Sequence, residues 1–150
     1  MKYQIRPMTV ADIEAVVKQE EEIFGTSLGY DMLYTELTLN EFAFYFVLEI
    51  EQEVHGYIGM WLVENRAEII NFYVNTPYQG LGFGKELLEL VLDLCQKSGV
   101  EFLSLEVRKS NYRAKNLYQK YGFEYAFVRP RYYSDGEDAE VMVKYFEVNK

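Results

Sequence analysis

The amino-acid sequence predicts an α/β protein in which a mixed β-sheet is flanked by helices. Segments rich in β-branched and aromatic residues alternate with segments that repeat apolar residues at helical spacing. Near the middle of the chain, a strand pattern, a glycine-rich turn, a helix pattern and another strand pattern follow one another, as in a parallel β-α-β unit. Strand patterns separated by short polar turns on either side add antiparallel strands.

The N-terminal half predicts one strand, two helices and three further strands. Pro7 ends the first strand, Thr9 and Asp12 form a helix-capping pattern, and Gly25 and Gly29 separate the two helices. The predicted bounds are strands at 3–6, 42–50, 54–63 and 68–74, and helices after residue 12 and at 30–39.

The C-terminal half predicts two helices and three strands. Gly99 and Gly122 each stand in the position that ends a helix. The predicted bounds are helices at 84–98 and 111–121, and strands at 102–107, 123–133 and 139–148. The chain of 150 residues suits one domain, and we expect residues 1–150 to form it.

Composition excludes several classes of protein. Cys95 is the only cysteine, which rules out a disulfide framework and a cysteine-based zinc site within one chain, and we expect no metal. The longest apolar run, residues 42–48, is seven residues long and too short to span a bilayer. The chain opens on a strand pattern without a signal-peptide apolar region, so we expect a reduced, cytoplasmic protein with no membrane partner.

The charge is divided unevenly along the chain. The whole chain carries 15 basic and 24 acidic residues, and residues 1–84 alone hold 4 basic and 13 acidic ones. Seven basic residues lie between Arg108 and Arg131. This division favours a cationic partner for the first segment and an anionic partner for the second, although a solvated surface without function gives the same pattern. The negative net charge disfavours direct nucleic-acid binding.

A glycine-rich loop lies between the central strand and the helix that follows it. Residues 79–85 read Gln-Gly-Leu-Gly-Phe-Gly-Lys. Such a loop, opening a helix, directs backbone N–H groups at an anion such as a phosphate. The spacing fits neither the P-loop, which needs four residues between its glycines, nor the dinucleotide fingerprint Gly-x-Gly-x-x-Gly.

The pattern Gln-x-x-Gly-x-Gly resembles the acetyl-CoA pyrophosphate loop of the GNAT N-acetyltransferase superfamily. Residues 105–123 resemble the family signature Leu-Glu-Val-Arg-x-x-Asn-x-x-Ala-x-x-Leu-Tyr-x-x-x-Gly-Phe at every named position, and residues 129–133 and 137–142 resemble the RimI-type branch. The resemblance implies a mixed sheet of six to seven strands with about four helices. It also implies direct acetyl transfer from acetyl-CoA to an amine. RimI-type enzymes acetylate the N-terminal alanine of a small-subunit ribosomal protein.

The resemblance assigns two catalytic residues. It places the general base on Glu106, for which a surface ion pair with Arg108 or Arg113 is the alternative. It places the proton donor for the leaving thiolate on Tyr118, for which packing alone is the alternative. Direct attack by the amine agrees with the position of the sole cysteine on a helix face away from both motifs.

Cofactor contacts follow from the same resemblance. Backbone amides at the end of the strand before the loop would hold the pantetheine arm and the acetyl carbonyl, the loop would hold the pyrophosphate, and basic residues near the signature helix would suit the 3′-phosphate. The implied residues are Phe72, Tyr73, Val74, Gln79, Gly80, Leu81, Gly82, Phe83, Gly84, Lys85 and Asn111. Pro77 stands one place later than in the usual Val-x-Pro pattern, while the spacing from Val74 to Gln79 agrees with the RimI type.

The acceptor is expected to be a basic peptide or an amine, such as a ribosomal protein N-terminus. Tyr132 and Tyr133 match RimI-type tyrosines and could line a peptide groove, or they could serve packing alone. Residues 24–30 lack the Pro-Trp-Ser element of RimI-type enzymes, so a polyamine-type acetyltransferase remains an alternative. A non-catalytic acyl-CoA-binding module and a partner-binding scaffold are further alternatives. Both a monomer and a homodimer are compatible with the sequence.

Overall fold

A computed structural model describes residues 1–147, which form seven β-strands and four α-helices. In chain order they are β1 (Tyr3–Pro7), α1 (Ile13–Phe24), α2 (Tyr30–Thr38), β2 (Ala43–Ile50), β3 (Glu53–Val63), β4 (Arg66–Val74), α3 (Phe83–Lys97), β5 (Phe102–Arg108), α4 (Tyr112–Lys120), β6 (Glu124–Arg129) and β7 (Ala139–Tyr145). Short 3-10 helices at Val10–Asp12 and Thr76–Tyr78 were not expected from the sequence.

The strands form one mixed sheet in the order β1-β2-β3-β4-β5-β7-β6, which confirms the predicted fold class. The pairs β1–β2, β2–β3, β5–β7 and β6–β7 are antiparallel. Strands β4 and β5 are parallel and are joined through α3, as predicted for the central β-α-β unit. Their parallel register pairs Arg66–Glu68 with residues 102–104.

The predicted strand over residues 123–133 is wrong at its C-terminal end. Strand β6 ends at Arg129, because Pro130 has no N–H to donate and Arg131 adopts a positive φ of 49°. Tyr132 and Tyr133 therefore lie in the loop between β6 and β7. The last strand ends at Tyr145, and the predicted extension to residue 148 lies outside the described residues.

The chain divides into two compact units. The first comprises Met1–Leu62 and Ile70–Leu94, and the second comprises Val63–Ile69 and Cys95–Lys150. A single domain over residues 1–150 stays a prediction. None of the helices in the described part of the chain is long and apolar enough to cross a membrane.

In the first unit, helices α1 and α2 contribute to a core shared with β2 and β3. The buried residues of this core are Met8, Ile13, Val16, Leu33, Tyr45, Val47, Val54, Tyr57 and Tyr73. The predicted capping pattern before α1 is present, since the Thr9 N–H donates to Asp12 Oδ2 at 2.8 Å. Arg6 donates to both oxygens of Asp12, at 2.8 and 2.9 Å, and so ties β1 to the start of α1.

In the second unit, strand β5 alternates between a buried and an open face. Leu103, Leu105 and Val107 are buried, whereas Ser104 and Glu106 are half-buried on the opposite side. Side chains alternate between the two faces along any strand, so this register determines which face carries Glu106.

Gly59 of β3 lies opposite Tyr45 of β2, and we predict that Gly59→Ala destabilises the protein. An added Cβ would lie 2.2 Å from Cε2 of Tyr45, whose hydroxyl is held by Glu36 at 2.8 Å. The ring must shift, and the free energy of unfolding should fall by about 1–3 kcal/mol, measured by urea denaturation.

Gly84→Ala is the matched control, since a Cβ there would have Phe72 Cζ as its nearest neighbour, at 3.6 Å. An equal loss of stability in both variants would contradict the predicted clash.

Candidate active site

The glycine loop of the first unit has the backbone conformation of an anion site. Gly80 and Gly82 have φ angles of 79° and 92°, which other residues rarely adopt. Helix α3 begins immediately afterwards, so the N–H groups of Phe83, Gly84 and Lys85 lie in its first turn, where N–H groups lack intrahelical partners. A Cβ added at Gly82 would meet no heavy atom within 4 Å, so there is room for a ligand beside this glycine. Loop and helix terminus together fit a phosphate group.

Gln79 links the loop to the end of β4. Its Nε2 donates to the carbonyl oxygen of Val74 at 2.8 Å, although Pro77 is displaced by one place and lies in a 3-10 turn. The spacing between residues 74 and 79 is therefore kept by a hydrogen bond within the protein. The contact of Gln79 with a cofactor stays a prediction.

The end of β4 carries the three amides expected to face the cofactor. The N–H of Phe72 donates to Oδ1 of Asn71 at 3.0 Å, and thus already has an acceptor within the protein. Tyr73 and Val74 are buried, and the Tyr73 hydroxyl donates to Gln19 Oε1 at 2.6 Å. Cofactor binding by the Phe72, Tyr73 and Val74 amides stays a prediction. No pattern in the sequence indicated that the Asn71 side chain accepts the Phe72 N–H.

In the second unit, Glu106 is half-buried on the open face of β5. Its Oε1 accepts a hydrogen bond from Arg129 Nε at 3.1 Å, and the Tyr132 hydroxyl also hydrogen-bonds to this carboxylate. Arg129 of β6 is therefore a cationic partner of Glu106, whereas Arg108 pairs with Asp135 and Glu137. Glu106 combines a charged partner, a phenol and partial exposure, which suits a group that exchanges protons with a ligand.

Glu68 is a second carboxylate that the sequence analysis missed. It lies on β4 in register with Ser104, and Glu106 is the next residue on that face of β5. Burial raises the pKa of Glu68, the charge of Glu106 raises it further, and Arg129 lowers it. Only the parallel pairing brings the two carboxylates near each other, so no local pattern could have indicated it.

Tyr132 and Tyr133 lie beside Glu106 and Arg108. Their rings meet edge to face with centroids 5.1 Å apart, and the Arg108 guanidinium lies 4.1 Å from the centre of the Tyr133 ring. The hydrogen bond to Glu106 is the main cause that raises the pKa of Tyr132 to about 12, and burial raises the pKa of Tyr133 to about 12. Both phenols therefore stay protonated at neutral pH.

Tyr118 is buried on α4, and its ring packs against Phe123 with centroids 5.6 Å apart. Burial raises the pKa of Tyr118 well above that of a free phenol, and the nearby Tyr133 raises it further. The hydroxyl keeps its proton through neutral and moderately alkaline pH. This suits the predicted proton donor, and the role itself stays a prediction.

Asn111 caps the N-terminus of α4, because its Oδ1 accepts the N–H of Ala114 at 3.1 Å. The side-chain NH2 is the group that could donate to a ligand.

The basic cluster of the sequence is partly neutralised. Arg108 pairs with Asp135 and Glu137, Lys115 pairs with Glu140, and Arg129 pairs with Glu106. The positive charge open to a phosphate is therefore smaller than the sequence suggests.

Cys95 is buried, and burial raises the pKa of its thiol to about 11. A thiol of this kind is a poor nucleophile at neutral pH. Within residues 1–147, no group of three or more His, Cys, Asp and Glu side chains could hold a metal ion.

The chain is similar to several known acetyltransferases. Residues 11–123 match the model of the acetyltransferase (GNAT) family. A Bacillus subtilis (strain 168) protein provisionally named ribosomal protein bS18-alanine N-acetyltransferase is 37% identical over 142 residues, covering 94% of each chain. The Escherichia coli (strain K12) ribosomal protein bS18-alanine N-acetyltransferase is 36% identical over 126 residues, 81% of this chain and 77% of its own. The crystal structure of the ribosomal-protein-S18-alanine N-acetyltransferase from Escherichia coli superposes with a TM-score of 0.89 at 29% identity, covering 99% of this chain and 97% of that chain.

We predict that the Asn111 side chain stabilises the protein by capping the N-terminus of α4. Asn111→Ala loses the cap and should lower the free energy of unfolding by about 0.5–2 kcal/mol in urea denaturation. Asn111→Asp keeps an acceptor oxygen and adds a negative charge at the helix N-terminus, so its stability should stay near wild type. Equal stability of the two variants would contradict the assigned cap.

Proposed function

Because the chain belongs to the GNAT acetyltransferase family, we propose that it transfers the acetyl group of acetyl-CoA directly to the N-terminal α-amine of a protein. Two of the relatives, matching 94% and 81% of the chain, are named as ribosomal protein alanine N-acetyltransferases, the first of them provisionally. Within the structure, the observation that carries the proposal is the half-buried carboxylate of Glu106, held by Arg129 and Tyr132 on the open face of β5.

Acetyl transfer to an amine requires removal of a proton from the ammonium form. An α-amine has a reference pKa of about 7.7–8.0, against about 10.4 for a lysine side chain, so an α-amine needs a weaker base at neutral pH. Glu106 accepts that proton directly or through one water. Arg129 Nε, 3.1 Å from Oε1, orients the carboxylate for this step.

The leaving sulfur must gain a proton, and Tyr118 is the group proposed to supply it. Its raised pKa keeps the phenol protonated at neutral pH, so the hydroxyl has a proton to give. The buried thiol of Cys95 has a pKa of about 11, which supports direct transfer rather than transfer through an acetylated cysteine.

Acetyl-CoA supplies the activated acetyl thioester. The residues proposed to hold its pyrophosphate are the glycine loop and the first-turn N–H groups of α3, which fit an anion and leave room at Gly82. The Tyr73 and Val74 amides would hold the pantetheine arm, and the NH2 of Asn111 would donate to the same cofactor.

The proposed acceptor is an N-terminus of ribosomal protein type. The excess of acidic residues in 1–84 favours a basic peptide, and the Tyr132 and Tyr133 rings offer flat surfaces for peptide contact. The named activities of the relatives favour a protein α-amine over a polyamine. A cytoplasmic location, the absence of direct nucleic-acid contact and a monomeric or homodimeric state remain predictions.

We predict that the two catalytic assignments can be tested by near-isosteric changes. Glu106→Gln should lower kcat about 100-fold or more, most strongly near neutral pH, because the base is lost. Tyr118→Phe should lower kcat while the Kd for acetyl-CoA stays near wild type, because only the phenol proton is removed. Steady-state thiol release gives kcat, and calorimetry gives the Kd.

Glu124→Gln and Tyr125→Phe are matched controls on exposed positions of β6 and should keep wild-type turnover. Unchanged turnover in Glu106→Gln or Tyr118→Phe would remove that residue from the mechanism.

We predict that the protein acetylates a peptide α-amine and not a polyamine when the two are compared. A peptide that begins Ala-Arg-Tyr-Phe should be acetylated at its α-amine, whereas spermidine should give no turnover above background. Mass spectrometry identifies the modified nitrogen, and the same peptide with a blocked N-terminus is the control. Turnover confined to spermidine would contradict a protein acceptor while leaving the enzyme class intact.

A further inference from the structure

Glu20 of α1 is a fully buried carboxylate in the first unit, with 0% of its surface exposed. Its Oε1 accepts the Ser27 hydroxyl at 3.0 Å, and its Oε2 accepts the Tyr57 hydroxyl at 2.7 Å together with Nδ2 of Asn71. Burial raises the pKa of Glu20, and these donors act against that rise. A buried carboxylate is costly unless its oxygens are paired, and here every one of these contacts is a donor.

Asn71 of β4 links this carboxylate to the backbone. A carboxylate can only accept hydrogen bonds, so the NH2 of Asn71 must face Glu20, which leaves Oδ1 to accept the N–H of Phe72 at 3.0 Å. The orientation of the Asn71 amide is therefore imposed by Glu20. This side-chain bond restricts the rotation of the peptide plane between Asn71 and Phe72.

The position of this bond in β4 gives it a consequence for the site. The parallel register of β4 with β5 covers Arg66–Glu68, and beyond it the Phe72 N–H donates to the Asn71 side chain. The amides of Tyr73 and Val74 follow directly. When the peptide plane at Phe72 is fixed, the orientation of the Tyr73 and Val74 N–H groups is fixed with it.

We propose that Glu20 is a positioning residue of the acetyl-transfer site, acting through the Asn71 carboxamide on the backbone of β4 at Phe72. The proposal rests on the proposed function, in which the end of β4 holds acetyl-CoA. Glu20 touches neither substrate nor cofactor in this role. Glu20 determines which way the Asn71 carboxamide is turned, and in that orientation Oδ1 accepts the Phe72 N–H.

An exchange of polar groups between the two residues tests this directly. Asn71→Asp places a second carboxylate against Glu20, so the side chain should turn away and release the Phe72 N–H. Glu20→Gln should have a small effect by itself, because the amide oxygen of glutamine can still face Asn71. In the double variant E20Q/N71D, the NH2 of glutamine can donate to the new carboxylate, which keeps one oxygen for the Phe72 N–H.

Two readouts are measured on each variant. Backbone amide exchange at Phe72, followed by NMR, should accelerate in Asn71→Asp and return to the wild-type rate in the double variant. The KM for acetyl-CoA should rise about tenfold or more in Asn71→Asp and return to within about twofold of wild type in the double variant. If Asn71→Asp fails to fold, Asn71→Ala adds no second charge and should show the same two effects.

Tyr57→Phe is the matched control, because it removes a hydrogen bond to the same Glu20 oxygen while Asn71 is untouched. It should lower Tm but leave the Phe72 exchange rate and the KM near wild type. A KM in the double variant that stays as high as in Asn71→Asp would overturn the proposal, as would an equal rise in Tyr57→Phe. Should the protein fail to bind CoA, the proposed function fails, while the exchange rate at Phe72 still decides whether Glu20 acts through Asn71.

Discussion

The hydrogen-bonded carboxylate of Glu20 is the interaction on which the architecture of the first unit depends. One side chain of α1 joins the segment after that helix through Ser27, strand β3 through Tyr57 and strand β4 through Asn71. Apolar packing has no preferred direction, whereas each of these bonds specifies one. The helix is therefore held in one register along the sheet, and the backbone at the end of β4 is held with it.

The second unit is organised by the alternation of β5. Its buried face supplies Leu103, Leu105 and Val107 to a core, and its open face carries Glu106. Arg129 reaches this carboxylate from β6, and the positive φ of Arg131 turns the chain into the loop that holds Tyr132. The Glu106 carboxylate is thereby oriented by Arg129 at the end of β6 and by Tyr132 in the loop that follows, and it stays partly accessible.

Burial distinguishes the side chains that keep their protons from the carboxylate that stays partly accessible. Glu106 is half-buried beside the cation Arg129, where it stays partly accessible to a ligand. Tyr118 and Cys95 are buried, and burial raises the pKa of each, so both keep their protons at neutral pH. Direct acetyl transfer needs a group that keeps a proton to give to the leaving sulfur, and the buried Tyr118 phenol meets that need. Burial also keeps the Cys95 thiol protonated, which makes it a poor nucleophile.

The sequence by itself determined the helices and strands, the central β-α-β unit and the glycine loop, because periodicity, turn chemistry and motif spacing are local properties of the chain. Its resemblance to the family proposed roles for Glu106 and Tyr118. The sequence pattern overextended β6 to Tyr133, since the turn at Arg131 depends on a backbone conformation that the side chain does not announce. Tertiary structure alone decided that Arg129 rather than Arg108 holds Glu106, that Glu68 lies near it, and that Glu20 reaches Asn71. Each of these pairs joins residues on separate elements, and only the pairing of strands and the packing of helices brings such residues close together.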